Sequence, residues 1–279
     1  MSSERAMKTC RGTIRLTKRD ESLLIDLFRH GAMLRGQIQA LHFEEAGLRR
    51  TNRRLQALCQ ARLVVGAPLP LGPLATATPA SSPGLGGQWV YRLGSQATPI
   101  LSARLGLDVA LVRRKVRQGS PTALAHALEI AQTRVVLTQL EQSESRFRLE
   151  AFQAEICHRW RARLPDGDER EEAFRPDAFV RFRWESCANI AFIEVDLGHT
   201  SHDEWRRKRE LARRFLSSGL FARNYGSDVL FDIWTLTTTA RRADSLRRAA
   251  EQDAPGLYRV TTLSDFSASP LSLVLGQAT

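Results

Sequence analysis

Cysteine is scarce in this chain. Cys10, Cys59, Cys157 and Cys187 are scattered through 279 residues, and no two form a CxxC pair. That spacing argues against a zinc ribbon or a disulfide framework and leaves free thiols, as in a reducing compartment. No apolar run approaches the ~20 residues that a membrane-spanning helix needs, so a membrane helix is not expected. The N-terminal stretch MSSERAMKTCRGTIRL lacks the apolar core of a secretory signal. These absences together place the protein in the cytoplasm. A P-loop, GxGxxG, GxSxG and HExxH are missing as well. The phosphate cradle, dinucleotide site, nucleophile elbow and zinc-protease helix those motifs build are therefore not expected.

What is present is positive charge, unevenly spread. Residues 1–121 carry 19 Lys or Arg against 7 Asp or Glu, a surplus of +12, while residues 122–279 carry 22 against 23, a balance of −1. The whole excess of +11 therefore sits in the N-terminal part. A basic module joined to a near-neutral one suits a nucleic-acid anchor that carries a second function.

A basic arm, 1–16, precedes the first ordered element. Thr17 to His30 predicts an amphipathic helix, with Leu23, Leu24, Leu27 and Phe28 inward, Thr17 as N-cap and Gly31 past its end. Leu34 to Phe43 predicts a second, shorter helix, and Ala46 to Arg62 a third. At about 100° per residue, Arg49, Arg50, Arg53 and Arg54 of the third helix share one arc of about 140°. Leu48, Leu55, Leu58 and Cys59 fall opposite, with Thr51 and Asn52 on the flanks. Two strands are expected next, Leu63 to Val65 and Trp89 to Leu93. Three helices and a strand pair are the order of a winged helix-turn-helix, here assigned to 17–118. Its third helix would enter the major groove of double-stranded DNA, with Arg49, Arg50, Thr51, Asn52, Arg53 and Arg54 as the contact set.

Residues 66–88 are rich in Pro, Gly, Ser, Thr and Ala and carry no charge, so an extended loop without strong phosphate contacts is expected there. A short helix is expected from Thr98 to Leu105, and Arg113, Arg114, Lys115 and Arg117 form a further basic cluster. Pro121 to about Glu141 predicts a connector helix, the linker being 119–142, with Leu124, Leu128, Val135 and Leu140 on its apolar side. So much apolar surface is expected to form part of an interface, and a homodimer is one arrangement that would use it. His126 and Glu129, one turn apart, are read either as a functional pair or as the polar edge of this packed helix.

The second module, 143–279, is read as α/β, giving an α+β protein overall. An amphipathic helix is expected from Arg146 to Arg163. Ala178 to Trp184 then alternates in period two, and Ile190 to Leu197 is almost continuously apolar, as a strand buried on both faces would be. Glu194 and Asp196 interrupt it and project from one face. Asp177 follows Pro176 just before the first of these strands. Asp203 to Ser217 and Thr239 to Gln252 read as helices, Asp228 to Leu236 and Leu257 to Leu263 as strands. Buried acids are costly unless paired or metal-bound, so Asp177, Glu194 and Asp196 are the candidate site. His199 and His202 follow closely enough to approach it.

Pro176-Asp177 followed by Glu194-Val195-Asp196 resembles the PD-(D/E)xK nuclease superfamily, in which an Asp and a Glu on adjacent strands bind a divalent metal. The superfamily's lysine position is Asp196 here, and Lys208 on the following helix is the substitute this resemblance suggests. Over residues 15 to 250 the chain resembles the plasmid replication-relaxation family. The arginine-faced third helix, HALEIAQTRVVL, FRPDAFVRF and FIEVDLGH with its downstream lysine carry that likeness. The resemblance implies a winged helix-turn-helix joined by a helix to a restriction-endonuclease-like domain. It also implies an accessory factor of mobile elements acting in replication, mobilisation or conjugative transfer, with a relaxase or other mobilisation protein as partner. Two functions stay open at this point. The first is a DNA-binding protein whose second domain is a degenerate nuclease fold. The second is a DNA endonuclease that uses Mg²⁺ or Mn²⁺ on Asp177, Glu194 and Asp196, with Lys208 stabilising charge.

Overall fold

The structure, a computed structural model, describes residues 6–9, 12–43, 47–69, 88–117, 121–163, 168–227 and 229–276. Most of the uncharged loop and the side chains of Lys115 and Arg117 lie outside the described residues. The chain divides into two compact units, Met1–Val135 and Val136–Thr279. Among the described residues no helix is long and apolar enough to cross a membrane.

The first unit opens with a hairpin, β1 (Ala6–Thr9) and β2 (Gly12–Arg15). Then come α1 (Lys18–His30), β3 (Met33–Leu34), α2 (Arg35–His42), α3 (Leu48–Gln60), β4 (Val64–Pro68) and β5 (Trp89–Leu93). Two more helices follow, α4 (Ala97–Leu105) and α5 (Val109–Arg117). Thr17 caps α1 as its sequence position requires. The Asp20 amide donates to the Thr17 hydroxyl, and the Asp20 carboxylate accepts from the Thr17 amide at 2.8 Å. Beyond the C-terminus Gly31 adopts φ 78°, the left-handed region that glycine enters without penalty. Strand β5 is the middle of a three-stranded antiparallel sheet, flanked by β3 and β4. The two-residue strand β3 was not expected from sequence, because a pair of residues carries no period. The core gathers Leu23, Leu24 and Leu27 of α1, Ile38 of α2, and Leu55 and Leu58 of α3, all fully buried.

Helix α6 (Pro121–Ser143) runs from the first unit into the second. Leu124, Leu128, Val135 and Leu140 are all buried, as the apolar spacing requires. Its first half is bound into the first unit. Ala131 joins that core, the Leu128 carbonyl accepts from Gln37 Nε2 at 2.8 Å, and Arg134 pairs with Asp26 at 2.6 Å. Glu129 departs from the expected polar edge, being only 3% exposed.

The second unit is a five-stranded mixed sheet in the order β12-β11-β10-β9-β6. Its strands are β6 (Phe147–Ala154), β9 (Ala178–Trp184), β10 (Cys187–Asp196), β11 (Leu230–Thr237) and β12 (Tyr258–Thr262). A separate hairpin pairs β7 (His158–Arg163) with β8 (Glu169–Phe174). β6, β9 and β10 form an antiparallel meander, while β10, β11 and β12 run parallel. The parallel strands are linked through α7 (His202–Ser217), α8 (Leu220–Tyr225) and α9 (Ala240–Asp253), and α10 (Leu263–Ala268) and α11 (Pro270–Leu275) close the chain.

One expectation fails outright. Arg146 to Arg163 is two strands, β6 and β7, and not a helix. Phe147, Leu149, Phe152 and Ala154 would alternate cleanly but for a bulge between Leu149 and Ala151, where Glu150 is the extra residue. The spacing of Phe147, Ala151, Ala154 and Cys157/His158 suggests a helix instead, but in the strand Ala151 is exposed. Glu155, at φ 55°, then turns the chain from β6 towards β7.

Burial pushes the Glu129 carboxyl up to about 7, against a smaller downward pull from His126. A carboxyl raised in the folded state stabilises the fold below its unfolded value near 4.5 and loses that contribution as pH rises through about 7. Glu129→Gln is therefore expected to be more stable than the parent at pH 8, by up to about 3 kcal/mol, with little difference at pH 4. Urea denaturation at both pH values checks this.

Candidate functional site

Two sites were expected from sequence, one in each unit. In the first unit α3 presents the arginines. Arg49, Arg50, Asn52 and Arg53 are exposed, so two consecutive turns near the helix N-terminus carry uncommitted polar side chains outward. The other two residues of the expected contact set have structural places. Thr51 is fully buried. Arg54 turns back onto α1, with Nε donating to Asp20 Oδ1 at 2.9 Å and Nη2 donating to the Arg15 carbonyl at 2.9 Å as well as to Asp20 Oδ2. Burial would raise the Asp20 carboxyl, but the bonds from Arg54 and Thr17 outweigh it and hold it below the ordinary range. Leu48, expected on the packing face, is 46% exposed at the first position of the helix. The wheel places it correctly by angle, but the helix end projects past the core.

Sequence reasoning missed Arg19, the second residue of α1. Its guanidinium lies over the Phe43 ring at 5.0 Å, a cation–π placement that fixes a long side chain. Its only signal was its position in the first turn of α1, where arginine is not rewarded by the helix dipole.

In the second unit β10 is the central strand, buried from Ile190 to Asp196. Ile190, Phe192, Glu194 and Asp196 share one face. Phe192 joins a cluster with Phe174, Phe179, Phe215 and Phe221, so α7 and α8 cover this side. Asp177 sits where β9 ends: its amide donates to the Ile193 carbonyl at 2.9 Å, and its Oδ2 accepts from the Val195 amide at 2.7 Å. The carboxylate thus continues the β9–β10 ladder by one bond and holds Asp177 beside residues 193–195. Lys208, one turn and a half into α7, donates to Glu194 Oε2 at 2.6 Å. Burial alone would lower the Lys208 ammonium. Glu194 and Asp177 outweigh that and hold it above the ordinary lysine range. Asp196 has its own cation, Arg242 of α9, at 2.7 Å. Its other oxygen accepts from the Gly198 amide at 2.9 Å, and Arg242 Nη2 also donates to the Thr200 carbonyl at 2.6 Å.

The strand therefore divides its two acids between two helices. Glu194 belongs with Asp177 and Lys208, and Asp196 with Arg242. Arg242 was invisible in sequence because 46 residues separate it from Asp196. Arg181 of β9 donates to Glu150 at 3.0 Å, away from these acids. His199 and His202 are both exposed. Among the described residues no three His, Cys, Asp or Glu side chains are placed to hold one metal ion. Asp177 and Asp196 each accept from an amide, and Glu194 and Asp196 each accept from a cation.

Asp196 is 4% and Arg242 17% exposed at the side chain, whereas Lys208 is 39% exposed. Arg242→Ala leaves a buried carboxylate short of its cation and is expected to cost about 3 kcal/mol. Lys208→Ala is expected to cost clearly less, because water reaches that pair. Urea denaturation of the two variants against the parent gives the order.

No curated protein matches the chain, and no solved structure does. A family model described as replication-relaxation matches residues 24–230, a span that takes in α3, the connector α6 and the acids of β10. The chain belongs to the replication-relaxation family, which points to a role in the replication or mobilisation of mobile elements.

Proposed function

We propose that this chain is a double-stranded DNA-binding accessory protein of a mobile element, acting in replication, mobilisation or conjugative transfer. The observation that carries this reading is the exposed group Arg49, Arg50, Asn52 and Arg53 at the start of α3. The order α1, α2, α3, then the β4–β5 hairpin, is that of a winged helix-turn-helix, whose last helix enters the major groove by its N-terminal residues. Arginine there can donate two bonds to guanine, and asparagine can pair with adenine. Arg54 and Thr51 drop out of the contact set and serve to dock the helix. In this reading the second unit is a nuclease-like fold turned to protein contacts, with a relaxase or other mobilisation protein as the partner class. The Arg242–Asp196 pair supports its being degenerate.

Replacing Arg49, Arg50 and Arg53 with Ala in the full chain removes only exposed side chains. Tight binding to a duplex is expected to be lost, with the log–log salt slope falling by about 0.9 for each phosphate contact removed. Fluorescence anisotropy across a salt series reads both, and an unchanged affinity would overturn the reading.

A second reading, a DNA endonuclease, has one observation in its favour. Lys208 stands against Glu194 at 2.6 Å and close enough to Asp177 for both to raise it. Plasmid incubated with Mg²⁺ or Mn²⁺ and either the parent or Asp177→Ala separates the two. No cleavage by either protein is expected; cleavage by the parent alone would establish the nuclease.

A further inference from the structure

Helix α1 carries a polar stripe that the DNA-binding reading does not use. Arg19, Ser22, Asp26 and Arg29 fall within an arc of about 80° at 100° per residue. Arg19, Ser22 and Arg29 are exposed. Two open clefts meet on this stripe. One, of about 300 Å³, is lined by Arg19 and Phe43 on one side and by Arg50 and Arg53 of α3 on the other. The second, of about 530 Å³, is lined by Arg19, Ser22, Arg29, His42 and Arg134. Arg19 borders both, so it stands between the face of α3 and the stripe of α1.

The acids in these clefts do not spoil that surface. Asp20 is bound to Arg54 and Thr17. Asp26 accepts from Arg134 at 2.6 Å and lies 3.0 Å from His42 Nε2. Burial would raise the Asp26 carboxyl, but those partners outweigh it and bring it down to about 2. Each carboxylate is thus neutralised by its own cation, Arg54 for Asp20 and Arg134 for Asp26. Among the described residues no acid pairs with Arg19, Arg29, Arg50 or Arg53. These four are the surplus charge of the surface.

We propose that the phosphate backbone of duplex DNA continues from α3 across this stripe, with Arg19 and Arg29 each seating a phosphate. The proposal rests on the DNA-binding reading and extends it to a second element. Arg19 to Arg29 is ten residues, or about 15 Å of helix, a rise over which one DNA strand presents about four phosphates. Arg19 is already held over Phe43, so little rotamer freedom is lost when it binds. Such contacts fix register and add affinity without reading sequence.

The test uses the full chain and mixed-sequence duplexes of about three helical turns, titrated by anisotropy over a salt series. The double variant Arg19→Ala/Arg29→Ala is expected to bind at least tenfold more weakly on every sequence, with the salt slope reduced by about 1.8. Arg29→Lys is expected to keep most of the affinity, because a point charge suffices for a phosphate. Near-ultraviolet circular dichroism checks that the variants fold. Parent-like affinity and slope in the double variant, while Arg50→Ala/Arg53→Ala loses binding, would overturn this proposal and leave the function of α3 standing. Parent-like behaviour in both variants would overturn the two together.

Discussion

A buried carboxylate keeps its charge only when a cation meets it, and that constraint organises both units of this protein. Taking a charge out of water is expensive: burial pushes Glu129 up towards its neutral form, and an acid that stays charged needs a partner delivered to it. Asp20 receives Arg54, Asp26 receives Arg134, Glu172 receives Arg170 and Arg214, Glu194 receives Lys208, and Asp196 receives Arg242. In nearly every case the cation comes from another element. The ion pairs therefore fix how helix meets helix in the first unit and how helix meets sheet in the second. Hydrophobic burial supplies most of the stability, but it is tolerant of register. A carboxylate with one partner at one distance is not.

The same constraint sorts the arginines. Those paired with buried acids dock one element on another, while Arg49, Arg50 and Arg53 stay exposed. On α3 the division falls inside a single run: Arg53 is exposed, and Arg54, its neighbour, is locked onto α1. Net charge alone could not make that distinction. A surplus of +12 in residues 1–121 says that the first unit is basic; only the pairing says which face is.

In the second unit the constraint bears on chemistry. Asp177 and Glu194 are brought together by the end of one ladder and the middle of another, with Lys208 across from them. Asp196, two residues on and on the same face, is held by a different helix through Arg242. Two acids that share a face need not share a site, because each helix packed on that face can claim one. This is why an acid pair of the right spacing on one strand need not form one cluster.

The sequence by itself determined the elements whose signals are local. Thr17 and Gly31 bound α1 because capping is a contact over three or four residues. β5 begins and ends at Trp89 and Leu93, and β10 reads as a doubly buried strand from its unbroken apolar run. The family likeness and the basic first half were legible for the same reason, since they are sums over the chain. What only the tertiary structure decided depends on partners far apart in sequence. The bulge at Glu150 breaks the period of two in β6, so the strand was not legible until β9 fixed its register. The charged strand β8 has no apolar period and exists because β7 pairs with it. Leu48 is exposed although the wheel puts it on the packing side, because a helical wheel gives direction but not how far the core extends along the axis. Arg242 reaches Asp196 across 46 residues. No spacing rule spans such a distance; the need of a buried charge for a cation does, once folding has brought the two together.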